Sequence, residues 1–144
     1  MRGINFLLAV SILTSLFGLF ACDSSAPPFE DITWIMESYG EPESLKTALP
    51  DVEVTLFFNN TNKEFSGSTD CNTYFGSYKV EGSKLSLPQG VAHTQLGCRS
   101  EEIGRQEEEY IGLFSMADSY QIDNGKLRLN CDHQVIYYRS EQEP

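Results

Sequence analysis

After residue 31 the apolar and polar positions follow the pattern of short β-strands. The stretch 52–58 alternates polar and apolar residues and ends in two phenylalanines, as a half-buried strand does near a sheet end. Trp34 is the natural core anchor of the first strand. The strands are predicted at 32–36, 52–58, 64–67, 76–80, 84–87, 120–122, 127–129 and 135–138, and 41–50 is predicted as a connection. Asn124-Gly125 suits a type I′ hairpin turn.

One segment, residues 100–117, has the periodicity of a helix instead. Its apolar residues share one helical face: Ile103, Tyr110, Leu113, Phe114 and Ala117. Ser100 can cap the helix, and Glu101 and Glu102 suit the positive end of its dipole. One helix among seven or eight strands predicts an α+β, mostly β fold. We expect a curled antiparallel sheet with the helix packed over one opening.

The first thirty residues have a third pattern. Arg2 precedes a largely apolar run over 6–21, which is shorter than the roughly 20 residues of a membrane span and typical of a signal peptide. The run ends Leu19-Phe20-Ala21-Cys22 and turns polar at once, which resembles a bacterial lipobox. This pattern predicts a signal peptide at 1–21, a lipidated Cys22 and a stiff tether over 22–30.

Attachment through an acylated Cys22 places the protein on a membrane of the bacterial cell envelope, with its domain extracytoplasmic. Each buried methylene of an acyl chain contributes about 0.8 kcal/mol, so two or three chains hold a protein firmly. The alternatives are an ordinary secretory signal, in which Cys22 is a chance thiol, and an uncleaved anchor.

The charge of the chain narrows its partners. Lys and Arg number 10 against 21 Asp and Glu, and Arg2 is the only charged residue in 1–21, so the predicted mature chain has 9 against 21 and a net charge of −12. Such a chain repels phosphate backbones, and we expect no nucleic-acid binding. It also disfavours docking on anionic lipid, so the membrane partner must be reached through Cys22.

Two clusters of residues resemble the META/HslJ domain family. Residues 66–78 contain Cys71-Asn72, then Tyr74, Gly76 and Tyr78, similar to the family run Gly-Cys-Asn-x-Tyr/Phe-x-Gly-x-Tyr that follows a strand. Residues 94–98, from Thr94 to Cys98, resemble the family's Thr-x-x-x-Cys run before a helix. Asp70 stands where the family usually has Gly, and Asp tolerates the left-handed backbone that Gly favours.

The resemblance implies a small β-rich domain, expected over 31–140, in envelope proteins linked to stress or envelope homeostasis. It brings no catalytic residue and no cofactor. We therefore expect a non-enzymatic binding or structural module whose partner is an envelope protein or peptidoglycan. The signature cysteines, Cys71 and Cys98, are expected to form a disulfide, because an exported chain meets a non-reducing compartment. Cys131 is then a free thiol, while Cys98–Cys131 and Cys71–Cys131 pairings stay open.

Particular residues leave two other functions open. A Cys/His metal site is an alternative at Cys131 with His133, or at His93 with Cys98, although neither spacing matches a known zinc motif. A lipocalin-like small-molecule carrier is a second alternative, from the early Trp34 and the late helix. No catalytic motif is present, and the carboxylates of 101–102 and 107–109 diverge around a helix.

Aromatic side chains offer a ligand surface. Tyr74, Phe75 and Tyr78 lie close together in sequence, and Tyr137-Tyr138 falls on the last strand. In a small β-domain we expect about half of such rings in the core and half at the surface. Asn72 is expected to close a turn at its own backbone.

Overall fold

A computed structural model describes residues 28–142 of the chain. The predicted signal peptide, the predicted lipidation site Cys22 and most of the predicted tether lie outside these residues. No helix within 28–142 is long and apolar enough to cross a membrane.

The described chain forms one antiparallel sheet and one helix. The strands are β1 (Thr33–Glu41), β2 (Ser44–Thr47), β3 (Thr55–Asn59), β4 (Glu64–Ser68), β5 (Thr73–Ser77), β6 (Lys79–Glu81), β7 (Lys84–Ser86), β8 (Ala92–His93), β9 (Ala117–Asp123), β10 (Lys126–Cys131) and β11 (Gln134–Ser140). Ten of them follow the order β6-β7-β9-β10-β11-β1-β3-β4-β5-β8, and β2 pairs with β1 beside this path. The predicted mostly-β, curled antiparallel sheet is confirmed, with more strands than the seven or eight expected.

The additional strands have physical reasons for escaping prediction. All four residues of β2 are exposed, so this strand shows no apolar alternation, and it lies inside the predicted connection 41–50. Strand β8 has only two residues. The predicted strand 76–80 is divided between β5 and β6, and Tyr78 lies between them.

The helix α1 runs over Glu101–Phe114 and begins where the sequence predicts. The Ser100 side chain accepts a hydrogen bond from the Ile103 backbone N–H at 3.3 Å. The helix ends earlier than predicted, because Ala117 is the first residue of β9. On the sheet side, Tyr39 donates to Glu109 at 2.9 Å and the Leu49 N–H donates to Gln106 at 2.8 Å, which fixes the helix over the opening.

The core inside the curled sheet is rich in aromatic rings. Trp34 is buried, and its indole N–H donates to the Phe29 carbonyl at 2.8 Å. The Phe29 ring packs on Phe58 and Tyr120, with centroids 4.8 and 4.1 Å away. The sequence predicts Phe29 and Glu30 as part of the tether, whereas in the structure the Phe29 ring packs in the core and Glu30 accepts hydrogen bonds from Lys63 and Tyr78. Apolar burial of this kind contributes roughly 25 cal/mol per Å².

Three buried tyrosines form a chain of hydroxyl groups through this core. Tyr74 donates to the Thr55 carbonyl at 2.6 Å, its hydroxyl lies 2.6 Å from that of Tyr110, and the Tyr110 hydroxyl lies 3.0 Å from that of Tyr138. Burial raises the pKa of all three phenols well above 10. These rings fill the interior of the sheet, where a lipocalin-like carrier would need an open cavity.

Candidate binding groove

Along strand β5, the residues of the family motif alternate between the two faces of the sheet. Tyr74 is buried, Gly76 also faces the core, and Tyr78 follows in the core beyond the end of the strand. Phe75 lies on the opposite face with 52% of its surface exposed. Because side chains alternate along a strand, the motif's named positions face inward and its x positions face outward. The motif therefore builds the core with one face and leaves the other to different residues.

Asn72, at the start of this motif, organises the second motif. Its Oδ1 accepts from the Thr94 hydroxyl at 2.8 Å and from the Leu96 N–H at 2.6 Å. Its Nδ2 donates to the Leu96 carbonyl at 3.2 Å and to Glu107 of α1 at 2.7 Å. The prediction that Asn72 closes a turn at its own backbone is wrong: the side chain is buried, and its partners come from two distant segments.

Thr69 completes this cluster. Its hydroxyl accepts the Asn72 N–H at 3.0 Å and donates to the second oxygen of Glu107, so both Glu107 oxygens have partners. The predicted Cys71–Cys98 disulfide is present beside them. Asp70 has φ +71°, in the left-handed region, and pairs with Arg99 at 2.7 Å. The motif cluster, defined as residues 69–72, 94–98 and Glu107, thus ties β5, the loop after β8 and α1 together.

The outer face of β3, β4, β5 and β8 carries the candidate site. Phe57, Ser66, Phe75 and Ala92 stand directly opposite one another across these four strands. The small Ser66 lies between the two phenylalanines, whose backbones are two strand spacings, roughly 10 Å, apart. The next outward row is Asn59, Glu64 and Ser77.

These rows line a groove with a volume of about 560 Å³, which we call the outer groove. That volume lies within the range of small-ligand sites, roughly 300–1,000 Å³. Gln89 and Gly90 also line it. A Cβ placed on Gly76 would lie 2.8 Å from the Gly90 carbonyl oxygen and 2.6 Å from the Phe65 ring. Gly76 therefore lets the loop before β8 close against the sheet.

The predicted aromatic surface is divided by burial. Tyr74, Tyr78 and Tyr138 are buried, so they support the core and offer no ligand surface. Of the aromatic residues proposed from sequence, Phe75 lies in the outer groove. Phe57 was not among them, although a signal existed: in the alternating strand 52–58, Leu56 and Phe58 face inward, so the residue between them faces outward.

The residues considered for a metal site are not brought together. Cys131 is fully buried, while 92% of the His133 side chain is exposed and its Nε2 lies 3.6 Å from Asp132. Burial raises the pKa of the Cys131 thiol to about 12. Cys98, the candidate partner of His93, is held in the disulfide. The Glu107 carboxylate lies within 4.8 Å of both disulfide sulfurs, but neither sulfur is a thiolate.

Known proteins match this chain in family and in fold. The family model of the META domain matches residues 28–143. An NMR structure of a protein from Burkholderia xenovorans is similar with a TM-score of 0.66 and 20% identity, covering 79% of this chain and 84% of that one. A crystal structure of a DUF4847 family protein from Bacteroides vulgatus has a TM-score of 0.56 and 16% identity, covering 81% and 96%. No curated protein matches the chain. At these identities the structural similarity shows the fold alone.

Proposed function

The chain belongs to the META domain family, and on this premise we propose that it is a non-enzymatic binding module held on the bacterial cell envelope by a lipidated Cys22. The observation that carries the proposal is the outer groove. Phe75 is exposed there on a strand whose other face is fully used by the core, so packing within the domain gives no reason for the ring to be outside. Exposed aromatic rings in a groove favour binding.

The anchor is supported by the sequence and by the chemistry of the domain. Leu19-Phe20-Ala21-Cys22 resembles a lipobox, and the first described residue, Pro28, lies six positions after Cys22. Such a tether spans at most about 20 Å, so the domain would work within a few nanometres of the membrane. The Cys71–Cys98 disulfide suits an extracytoplasmic compartment.

A non-enzymatic role agrees with the engagement of the helix carboxylates. Glu107 accepts hydrogen bonds from Asn72 and Thr69, and Glu109 pairs with Lys46 at 2.7 Å and accepts from Tyr39. The Lys46 hydrogen bond is the main cause of the lowered pKa of Glu109. These groups join elements of the fold, and we assign them no catalytic role.

The proposal is tested by photo-crosslinking in living cells. The full chain carries p-benzoylphenylalanine in place of Phe75, and a matched chain carries it in place of Leu45, an exposed residue of β2 outside the outer groove. After irradiation, mass spectrometry of the peptide that contains the photo-reactive residue detects any covalent adduct, whatever its chemistry. We expect a defined adduct at position 75 and none at position 45. Equal adducts at both positions, or none at 75, would overturn the binding role.

A further inference from the structure

The outer groove combines flat apolar surface with unengaged polar groups. The rings of Phe57 and Phe75 flank its floor. The hydroxyls of Ser66 and Ser77 and the amide of Gln89 make no side-chain hydrogen bond within residues 28–142, while Asn62 donates to Glu64 at 2.6 Å. Polar groups without partners inside the domain are free to bind a ligand that has both apolar faces and polar edges.

The charge of the groove limits that ligand. Glu64 is the one charged residue among those that line it, and no Lys, Arg or His is among them. The predicted mature chain also carries a net charge of −12. An anionic ligand would meet repulsion from Glu64 and from the whole domain, and nothing in the groove would offset it. A neutral ligand avoids this cost.

The spacing of the side chains in the outer groove favours a ligand made of linked rings. Ser66 on β4 has a small side chain and lies between Phe57 on β3 and Phe75 on β5. The space above Ser66 lets a flat ring of the ligand stack against either phenylalanine. The polar row of Asn59, Glu64 and Ser77 lies two residues along the strands, about 7 Å away. In this row the Asn59 Oδ1 already accepts from the Thr61 and Asn62 N–H groups, at 2.9 and 3.2 Å, and Glu64 accepts from Asn62. The Ser77 hydroxyl and the Asn59 amide N–H groups make no side-chain hydrogen bond within residues 28–142. A ligand that stacks one ring on a phenylalanine can therefore place hydroxyls or amides of the next ring on these groups.

From these observations we infer that the outer groove binds a neutral glycan, with sugar rings stacked on Phe57 and Phe75 and sugar hydroxyls or amides on the polar row. Sugar rings have apolar C–H faces and polar edges, which is the combination that the groove presents. This inference rests on the proposed binding function and adds the chemical class of the ligand. A glycan of the envelope lies within reach of a domain tethered to a membrane.

The test measures binding of chitotetraose, a neutral tetrasaccharide of N-acetylglucosamine, to the full lipidated chain in detergent micelles. Saturation-transfer NMR reports contact with the sugar, and a titration up to about 5 mM gives the Kd of a weak complex. We expect saturable binding, weakened about tenfold in Phe75→Ala and in Phe57→Ala. The control Leu45→Ala removes an exposed side chain outside the groove and should bind as the wild type does. Circular dichroism verifies that each variant is folded.

A charge variant distinguishes a glycan from a basic peptide as the ligand of the groove. Glu64→Gln removes the negative charge of the groove and keeps the size of the side chain, so chitotetraose should lose less affinity in this variant than in Phe75→Ala. Tetralysine is the competing probe. If tetralysine binds, chitotetraose does not, and Glu64→Gln abolishes tetralysine binding, the groove is a site for basic peptides and the glycan inference is overturned.

Failure of this inference is distinguishable from failure of the proposed function. A position-75 adduct in cells together with no chitotetraose binding, or with binding that Phe75→Ala leaves unchanged, overturns the glycan and leaves a binding module. Absence of the adduct overturns the binding role itself.

Discussion

Asn72 is a residue whose side-chain hydrogen bonds all reach outside its own turn. Its amide uses both oxygen lone pairs and both N–H groups, toward Thr94, Leu96 and Glu107. Asn72→Asp keeps the shape but replaces the donor that faces Glu107 with a second carboxylate. Like charges in a buried site raise a carboxyl pKa, so the variant should lose about 3 kcal/mol of unfolding free energy at pH 7 and less near pH 4, where the new acid is protonated.

Urea unfolding at the two pH values measures this effect. Asn60→Asp is the matched control, since Asn60 is exposed in a turn and its variant should change stability by at most about 0.5 kcal/mol. A cost for Asn72→Asp that is the same at pH 4 and pH 7 would mean that Glu107 repulsion is not its cause.

Cys131 predicts a loss of stability in alkali. Burial, with a smaller effect from Asp118, raises its pKa from 9.0 to about 12. The folded state therefore prefers the neutral thiol, while the unfolded chain releases the proton near pH 9. This contribution is complete below pH 9 and is lost as the pH rises toward 12. The buried tyrosines add a similar trend above pH 10, so the comparison must be made with a variant that keeps them.

Cys131→Val supplies that comparison, because it removes the ionisable group with little change in volume. We expect the unfolding free energy of the wild type to fall more steeply than that of Cys131→Val between pH 9 and 11. In the native wild type at pH 8, iodoacetamide should leave Cys131 unmodified, and the same reagent in urea should label it. Rapid labelling of the native protein would contradict the buried, neutral thiol.

Asn72 and Cys131 also show which features could be predicted from the sequence and which could not. The alternation of 52–58 predicted that strand, whereas Tyr74 and Phe75 lie in β5 ahead of the strand predicted at 76–80. The partners of Asn72 lie 22 to 35 positions away in sequence, and local pattern does not specify such contacts. The free state of Cys131 was expected, whereas its full burial depends on how β9, β10 and β11 pack.

At the scale of elements, the disulfide joins the start of β5 to the loop before α1. Its cysteines are separated by 27 positions, and closing a loop of that size contributes about 3–4 kcal/mol in the chain-entropy account. The double variant Cys71→Ala with Cys98→Ala should lose that amount of unfolding free energy. Reductant should destabilise the wild type by a similar amount and leave the double variant unchanged, which serves as the internal control. Equal sensitivity of both proteins to reductant would contradict this assignment.

The loop before β8 depends on the absence of a side chain at Gly76. In Gly76→Ala the new Cβ would meet the buried Phe65 ring at 2.6 Å and the Gly90 carbonyl at 2.8 Å. We expect a loss of about 1–3 kcal/mol, together with displacement of the groove wall. Gly97→Ala is the control, because a Cβ there has no neighbour within 4 Å. Thermal unfolding compares the two, and equal stability of both variants would show that the loop shifts without cost.

Secondary-structure elements were predicted correctly where a buried face or a turn leaves a recognisable residue pattern in the sequence. The helix α1 was found from Ser100 and its buried face, and the β9–β10 turn from Asn124-Gly125, which have φ of +49° and +78°. The short strands β2 and β8 are exposed along their whole length, so no apolar periodicity marks them. Their hydrogen bonds with β1 and β5 are set by the fold around them.

At the scale of the whole molecule, fold and site occupy opposite faces of one sheet. The motif positions Asn72, Tyr74 and Gly76 supply the motif cluster and the core, whereas Phe57 and Phe75 face the groove. A protein can therefore keep the META domain motif while changing the residues of the outer face. The motif predicted the fold well. It does not predict a ligand, because the side chains that line the groove lie at its x positions or outside it, and Gly76, which also lines the groove, has no side chain.

The predicted lipid anchor is tested by whether the protein stays in the membrane fraction when Cys22 is replaced. Because the predicted mature chain is strongly acidic, we expect no charge-driven attachment to anionic lipid, and membrane retention should depend on Cys22 alone. In expressing cells the wild type should stay in the membrane fraction through high-salt and carbonate washes, with an intact mass that fits an acylated Cys22 start. Cys22→Ser should leave that fraction, while Cys131→Val, a cysteine change in the core, should remain. A washed membrane fraction that retains Cys22→Ser would point to an uncleaved hydrophobic segment as the anchor, and the groove would then face its ligand from a fixed span.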